Sequence, residues 1–106
     1  QHYAPNTPLY LHSTVQSMIS SKIISKNDVL ILPHDKINTR QLKNNICLLS
    51  ISSSDNYHDT ARNLYSVLRK ADKLNKEKIH ISLYSSLNDS FTAVNDRLTR
   101  ASTKKI

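Results

Sequence analysis

The sequence predicts an α/β domain in which a mostly parallel sheet of about four strands is flanked by helices. Short apolar runs without charge, typical of strands covered on both faces, recur along the chain. Between them lie segments with apolar residues at spacings of three and four, which indicate amphipathic helices. The two kinds of segment alternate, as expected for parallel strands joined by right-handed crossovers.

The first half of the chain supplies two strands and a helix. Residues 8–12, PLYLH, are predicted to form the first strand, since proline is tolerated at a strand's first position. A helix is predicted in STVQSMISSKII, where Ser13 and Gln16 have the spacing of a capping box. Residues 27–33, NDVLILP, form the second strand. The polar stretch HDKINTRQLKNN that follows forms either a loop or one short helix.

The second half repeats the alternation. Residues 46–52, ICLLSIS, and 78–84, KIHISLY, are the third and fourth strands. SSDNYHDTARNLYSVLRKADKL between them is the clearest helix, with apolar residues on one face and basic residues largely on the other. NDSFTAVNDRLTRAS is predicted to form the last helix, with Asn88, Asp89 or Ser90 as its cap and basic residues up to Lys105 at its end. We expect the strand order 2-1-3-4.

The composition limits the classes of function. The chain has 106 residues, which suits one domain, and its formal net charge is +7. A basic balance favours anionic partners, nucleic acid first among them, but an AT-rich genome produces the same balance without any function. No apolar run approaches the roughly 20 residues that cross a bilayer. The single cysteine, Cys47, is expected to be a buried, unreactive thiol in a reducing compartment such as the cytoplasm.

Nucleotide-binding, metal-binding and catalytic patterns are missing from these residues. The phosphate cradles of dinucleotide-binding folds and P-loops need glycine, and the chain contains none, so no cofactor is expected to bind. The five histidines are scattered singly, without a second cysteine or a carboxylate at ligand spacing, so no metal site is predicted. No catalytic triad can be recognised from the sequence order, and we predict no catalytic residue.

Three stretches of the chain resemble a known family. HYAPNTPLYL at 2–11, ARNLYSVLRKAD at 61–72 and AVNDRLTRAS at 93–102 are similar to the C-terminal domain of the two-domain, YrdC-type threonylcarbamoyl-AMP synthases. The resemblance covers nearly the whole chain. The family usually carries glycines before the last helix, whereas this segment reads SSLNDSFTAVNDRL. This departure concerns the geometry of that loop rather than the family.

The resemblance implies an activity for the enzyme that contains such a domain. These synthases join L-threonine, bicarbonate and ATP, with magnesium as the expected metal, into threonylcarbamoyl-adenylate for the threonylcarbamoyl-adenosine modification of transfer RNA. Their catalytic pocket lies in an N-terminal domain of the same polypeptide. We therefore expect that domain to be the partner of these residues, and these residues to be inactive alone. We also expect a cytoplasmic protein without a membrane or DNA partner.

The resemblance also divides the chain at Thr7. Residues 1–7 match the end of the interdomain linker that lies over the catalytic pocket in the family, and residues 8–106 match a small Rossmann-like accessory domain. Pro5 and Pro8 restrict the backbone around them to extended conformations. His2 and Tyr3 are expected near substrate, as part of a lid that excludes water, and only when the catalytic domain is present.

Asn95, Asp96 and Arg97 form a further candidate set. They fall in the middle of the last predicted helix, where Asn and Asp are poor helix formers. We expect them to make structural or interdomain hydrogen bonds rather than to act in catalysis. The net charge supports a second hypothesis, a small basic RNA-binding module. The few aromatic residues are scattered, however, and form no visible stacking platform.

Overall fold

The computed structural model describes residues 4–43, 45–54, 56–85 and 89–106. Its elements in chain order are β1 (Leu9–His12), α1 (Val15–Ile19), β2 (Val29–His34), β3 (Cys47–Ser52), α2 (Tyr57–Lys73), β4 (Ile79–Ser82), a 3-10 turn (Asp89–Phe91), α3 (Thr92–Ala101) and β5 (Lys104–Lys105). The strands pair in parallel in the sheet order β3-β2-β4-β1-β5. The predicted α/β class, a parallel sheet flanked by helices, is confirmed, with five strands rather than about four.

The predicted strand order 2-1-3-4 is wrong, because β4 lies in the centre of the sheet. Leu9 of β1 and Val29 of β2 both stand opposite Ile79, and all four residues of β4 are buried. His80 of β4 has one hydrogen-bond partner on β1 and another immediately before β2. A buried imidazole without partners is costly. The observed order satisfies His80 on both sides.

A short edge strand replaces the predicted end of the last helix. α3 ends at Ala101, and Ser102 is extended, with φ −74° and ψ 142°. Thr103 then donates its N–H to the carbonyl of Leu9 at 2.8 Å. Its Oγ1 accepts the N–H of Leu9 at 2.9 Å. Lys104 and Lys105 therefore form β5 instead of a helical turn, and no apolar run marks this strand because an edge strand tolerates lysine.

The two long helices cover one face of the sheet, here called the apolar face. α2 begins after Asn56, whose side chain accepts the N–H of Asp59 at 3.2 Å. α3 follows a 3-10 turn with Phe91 at its N-cap position, so neither Asp89 nor Ser90 is the N-cap of α3. The strands contribute buried aliphatic residues to this face at alternate positions. The cluster includes Leu9, Leu11, Val29, Ile31, Ile79 and Ile81 from strands, and Leu64, Leu68, Val94 and Leu98 from helices.

The other face, called the α1 face, is covered by α1 and by loops. α1 has five residues, and its capping box uses Thr14 and Ser17, one position later than predicted. A smaller apolar cluster lies under it, made of Met18, Ile24, Leu30 and Leu32. Ile37, Leu42 and Ile46 from the β2–β3 connection pack against this cluster. That connection contains turns and no helix among its described residues, so its loop alternative is the correct one.

Strand β3 forms the edge of the sheet opposite to β5. Its first four residues alternate between half-buried and exposed, because successive side chains point to opposite faces and only one face packs against the apolar cluster. Cys47, expected to be buried, is half-buried there. Leu48 is 39% exposed. In the part of the chain that the structure describes, no helix is both long and apolar enough to span a bilayer.

Candidate functional site: the anchor of the N-terminal segment

The carboxylate of Asp72 binds two consecutive residues of the N-terminal segment, Asn6 and Thr7. Asp72, in the last turn of α2, accepts the backbone N–H of Asn6 through Oδ2 at 3.1 Å. Its Oδ1 accepts the backbone N–H of Thr7 at 2.9 Å and the Thr7 hydroxyl at 2.8 Å. These three residues, Asn6, Thr7 and Asp72, are called the linker anchor below. They fix two consecutive residues of the segment, so the chain enters the domain at a defined point.

The topology places the linker anchor at the amino-terminal ends of the strands. A helix that precedes a parallel strand ends at the edge where the strands begin. The carbonyl of Pro8 accepts the N–H of Ile79 at 2.8 Å, which joins the entry of β1 to that of β4. Asn75 has a left-handed φ of 54°, which asparagine tolerates, and it turns the chain after α2. Thr7 is only 8% exposed, so the segment already belongs to the folded body there.

The hydrogen bonds outweigh the unfavourable position of Asp72 on its helix. Negative charge at the carboxyl end of a helix costs roughly 0.3–1 kcal/mol. Lys70 and Lys73 in the same turn offset part of that cost. A hydrogen bond to a charged group contributes about 1.5–3 kcal/mol, less at a half-buried site that water screens. Asp72 accepts three such bonds from the segment, so the balance favours the bound segment.

An open groove of about 610 Å³ runs along the linker anchor. Its lining comes from the segment, the end of α2 and the turn after it, and comprises Asn6, Thr7, Pro8, Asp72, Lys73, Asn75 and Lys76. Pockets for small molecules are mostly apolar. This groove is lined largely by polar and charged residues, so it lacks the apolar lining of a typical small-molecule pocket.

A separate cavity lies at the carboxyl ends of the strands, where α/β sheets usually bind nucleotides. It measures about 480 Å³ and is lined by Ser13, Thr14, Val15, Pro33, Leu83, Tyr84, Ser85 and Asn95. The β1–α1 loop there uses its polar groups internally, since Thr14 Oγ1 accepts the N–H of Ser17 at 2.9 Å. At about 3.3 Å per residue, the four residues of β1 place this edge roughly 13 Å from the linker anchor. The cavity and the linker anchor therefore lie at opposite ends of the strands.

The structure separates Asn95, Asp96 and Arg97. Asn95 Oδ1 accepts the N–H of Tyr84 at 2.8 Å, and Asn95 Nδ2 donates to the Tyr84 carbonyl at 3.1 Å. These two bonds attach α3 to the chain that follows β4. Asp96 is exposed and pairs with Arg100 at 3.2 Å, and Arg97 is exposed. Asn95 therefore hydrogen-bonds to the segment that follows β4.

The two residues predicted to lie near substrate, His2 and Tyr3, are outside the described residues. Their predicted place near substrate stays a prediction.

Sequence reasoning missed a buried chain of three polar side chains, called the histidine chain below. His80 Nε2 lies 2.8 Å from Asp28 Oδ2, and His80 Nδ1 lies 2.9 Å from His12 Nε2. Each of the three side chains is at most 1% exposed. All three belong to predicted strands, which is a signal for burial. Their contact follows from the strand order, which no local pattern shows.

Asp28 carries the charge in the histidine chain. Burial would raise the pKa of Asp28, but hydrogen bonds from the Ser25 N–H and from His80 outweigh it and lower the pKa. Burial lowers the pKa of His80, and the hydrogen bond and charge of Asp28 offset this only in part. Burial, together with the neighbouring His80, lowers the pKa of His12 to about 4. Both histidines are therefore neutral at pH 7.

The charge on Asp28 determines which ring nitrogens carry protons. An ionised carboxylate only accepts, so His80 donates from Nε2 and accepts at Nδ1. His12 then donates from Nε2, and its Nδ1 keeps a lone pair without a hydrogen-bond partner among the described residues. A general base needs a lone pair within reach of a substrate. This lone pair is buried, so the chain serves to link β1, β4 and the start of β2.

The described side chains do not converge on a metal ion. Among residues 4–43, 45–54, 56–85 and 89–106, no group of three or more His, Cys, Asp or Glu side chains is placed to hold one. The histidine chain is linear, and His80 uses both of its ring nitrogens for hydrogen bonds.

Comparison with known proteins identifies a family. A family model described as "Threonylcarbamoyl-AMP synthase, C-terminal domain" matches residues 1–103. A search of curated proteins gives no match. The matched range contains the linker anchor, the histidine chain and every helix described above.

Proposed function

The chain belongs to the family of the threonylcarbamoyl-AMP synthase C-terminal domain, and we propose that it is the non-catalytic accessory domain of such a synthase. In this proposal the synthase makes threonylcarbamoyl-AMP from L-threonine, bicarbonate and ATP for transfer RNA modification in the cytoplasm. ATP, with magnesium, binds to a YrdC-type catalytic domain of the same polypeptide. The accessory domain positions the linker over the catalytic pocket and regulates its closure.

The linker anchor is the observation that supports this role. A lid can restrict a pocket only if its base is held in place. Holding the backbone of one residue costs about 1–2 kcal/mol of conformational entropy. Asp72 offsets this cost for Asn6 and Thr7 with three charge-assisted hydrogen bonds. Because two of the donors are backbone N–H groups, the hold on Asn6 does not depend on its side chain.

The other polar groups favour an accessory role over a catalytic one. The cap of α1 uses the hydroxyl of Thr14, and the lone pair of His12 is buried. In the proposal, substrate contact falls to His2 and Tyr3 of the linker. An aromatic ring and a titratable donor above the pocket would exclude water from a labile carbamate.

The proposal is tested in a synthase that carries this chain behind its catalytic domain. Asp72→Ala removes the three hydrogen bonds and frees the base of the lid. We expect kcat/KM for ATP, measured by pyrophosphate release, to fall roughly 3- to 10-fold because the closed state becomes less populated. Asp72→Asn keeps one acceptor oxygen and should give an intermediate value.

Asp35→Ala is the matched control, since it removes an exposed carboxylate just beyond the carboxyl end of β2 without touching the linker anchor. Its kcat/KM should equal that of the parent enzyme. A folded Asp72→Ala enzyme with unchanged kcat/KM would show that the linker anchor does not act in catalysis. A second test adds residues 1–106 or 8–106 to the separate catalytic domain. Only the longer piece should change its turnover.

A further inference from the structure

A second surface, on the α1 face of the sheet, combines an aromatic ring with lysines. The strand register places Tyr10 opposite both His80 of β4 and Lys104 of β5. Residues that stand opposite each other project to the same side of a sheet. Lys78 Nζ lies 6.0 Å from the centroid of the Tyr10 ring. Tyr10, Lys78 and Lys104 are called the basic face below.

The ring of Tyr10 has a fixed position on this surface. It packs against His80 with the ring centroids 5.6 Å apart, and Tyr10 as a whole is half-buried. Lys78 Nζ lies over the ring and is held there by an ion pair with Asp28, in which Nζ lies 3.5 Å from Oδ2. Lys104 is exposed and forms no ion pair with the described residues. The basic face therefore presents the fixed ring of Tyr10 between Lys78, which is paired with Asp28, and the exposed Lys104.

The acidic groups around the basic face are mostly engaged inside the domain. Asp28 is fully buried in the histidine chain, and Asp72 binds the linker anchor. Glu77 is the exposed acidic residue at this edge among those described. Its N–H donates to the carbonyl of Asn27 at 2.9 Å, which brings the turns that contain Lys26 and Lys76 together. Positive charge is therefore in excess at the amino-terminal ends of the strands.

We propose that the basic face binds single-stranded RNA, with phosphates at the lysines and one unpaired base on Tyr10. Lysine is a hydrated point charge that suits phosphate contacts without sequence preference. A tyrosine ring stacks on any base, and RNA commonly presents unpaired bases in its loops. β4 and β5 are separated by two strand spacings, about 10 Å, so phosphates on both sides of a stacked base can be met.

A protein partner fits this surface less well. Protein interfaces centre on buried apolar or aromatic anchors with an apolar surround. The exposed large apolar residues of the described chain, Ile23, Leu48, Leu74 and Ile106, do not belong to the basic face. The charge and the single ring favour a flexible polyanion whose bases can stack.

The test is fluorescence anisotropy of a labelled single-stranded RNA of about 12 nucleotides, titrated with the 106-residue chain at about 25 to 200 mM potassium chloride. We expect a dissociation constant of about 10⁻⁴ to 10⁻⁶ M and a linear fall of log K with log salt. Lys104→Gln should reduce that slope by about 0.7, the value for one phosphate contact. Tyr10→Leu should weaken binding roughly tenfold, and Tyr10→Phe should leave it unchanged.

Lys36→Gln is the matched control, because it removes the same charge from an exposed lysine beyond the carboxyl end of β2. Equal losses in Lys36→Gln and Lys104→Gln would assign the affinity to net charge and overturn the proposal. Equal affinity for poly-glutamate or tighter binding of duplex RNA would overturn it as well. So would an unaltered affinity in a folded Tyr10→Leu variant, or no binding at the lowest salt. The test is independent of the linker function, since it leaves Asn6, Thr7 and Asp72 intact.

Discussion

The two faces of the sheet are stabilised by different kinds of interaction. On the apolar face, β1 and β4 contribute Leu9, Leu11, Ile79 and Ile81 to packing against α2 and α3. On the α1 face, the same two strands contribute Tyr10, His12, His80 and Ser82. The hydrophobic contribution is proportional to the apolar area buried and does not depend on direction, so the apolar face tolerates small shifts between elements. Buried hydrogen bonds are directional, so the α1 face specifies which strand lies beside which.

The largest expected effect comes from the apolar face. Leu68→Ala removes a side chain that is 1% exposed, and should lower the free energy of unfolding by about 3 kcal/mol through lost burial and a cavity. Urea denaturation measures it. The loss should be the same at pH 7 and pH 5, because no titratable group of the histidine chain is changed.

Leu74→Ala is the control for this prediction. It changes the same residue type at the end of the same helix, where the side chain is 40% exposed. We expect a loss below about 1 kcal/mol. Similar losses in the two variants would mean that burial on the apolar face does not account for its stability.

A smaller effect is expected from acid on the α1 face. The pKa of His12 is lowered from 6.5 to about 4, so the unfolded chain binds the proton first as the pH falls. Stability from this group is complete above pH 6.5 and is lost toward pH 4. From pH 7 to pH 5 His12 should lower the free energy of unfolding by about 2 kcal/mol, measured by urea denaturation. His80, whose pKa is also lowered, should add to this loss.

Two variants separate the histidine chain from other titrating groups. His58 is exposed, so His58→Gln should keep the pH dependence. His12→Leu should remove the part of the pH dependence that comes from His12, whatever its effect on stability at pH 7. A stability that does not change between pH 7 and pH 5 in the parent chain would contradict the neutral, buried state of His12.

The smallest effect concerns the support of Asp28. Ser25→Ala removes the bond from Ser25 Oγ to Asp28 Oδ1, 3.1 Å long, and leaves the backbone N–H bond to Asp28 in place. It also removes the acceptor of the Asn27 N–H, 3.3 Å away. We expect a loss of about 1 kcal/mol by thermal or urea unfolding at pH 7. Ser50→Ala, at an exposed site on β3, should stay within about 0.5 kcal/mol of the parent. Equal losses would show that Ser25 does not support the buried carboxylate.

The apolar face was largely predictable from the sequence, and the α1 face was not. Period and burial pattern indicated α2, and the apolar runs indicated β2, β3 and β4, because each signal lies within one element. The position of β4 depends on His80 meeting His12, 68 residues away, and Asp28, 52 residues away. β5 consists of two exposed lysines and carries no burial pattern. Both features arise from tertiary contacts.

The candidate site divides in the same way. Thr7 was predicted as the last residue of the linker from its proline neighbours and the family resemblance, and whether this is a domain boundary stays a prediction. Asp72 was not singled out, because an aspartate among the basic residues of an amphipathic helix resembles any solvated side chain. Its role depends on Thr7, 65 residues away in sequence. Such a contact has no periodic signature.

The two edges of the sheet differ in how readily they can recruit another chain. An edge strand exposes unpaired N–H and C=O groups, and lysines discourage a new strand from adding there. β5 is made of Lys104 and Lys105, whereas Cys47–Ser52 of β3 carries no charge and exposes Leu48. In concentrated solution, strand-to-strand aggregation should therefore begin at β3, and a lysine in place of Leu48 should raise solubility.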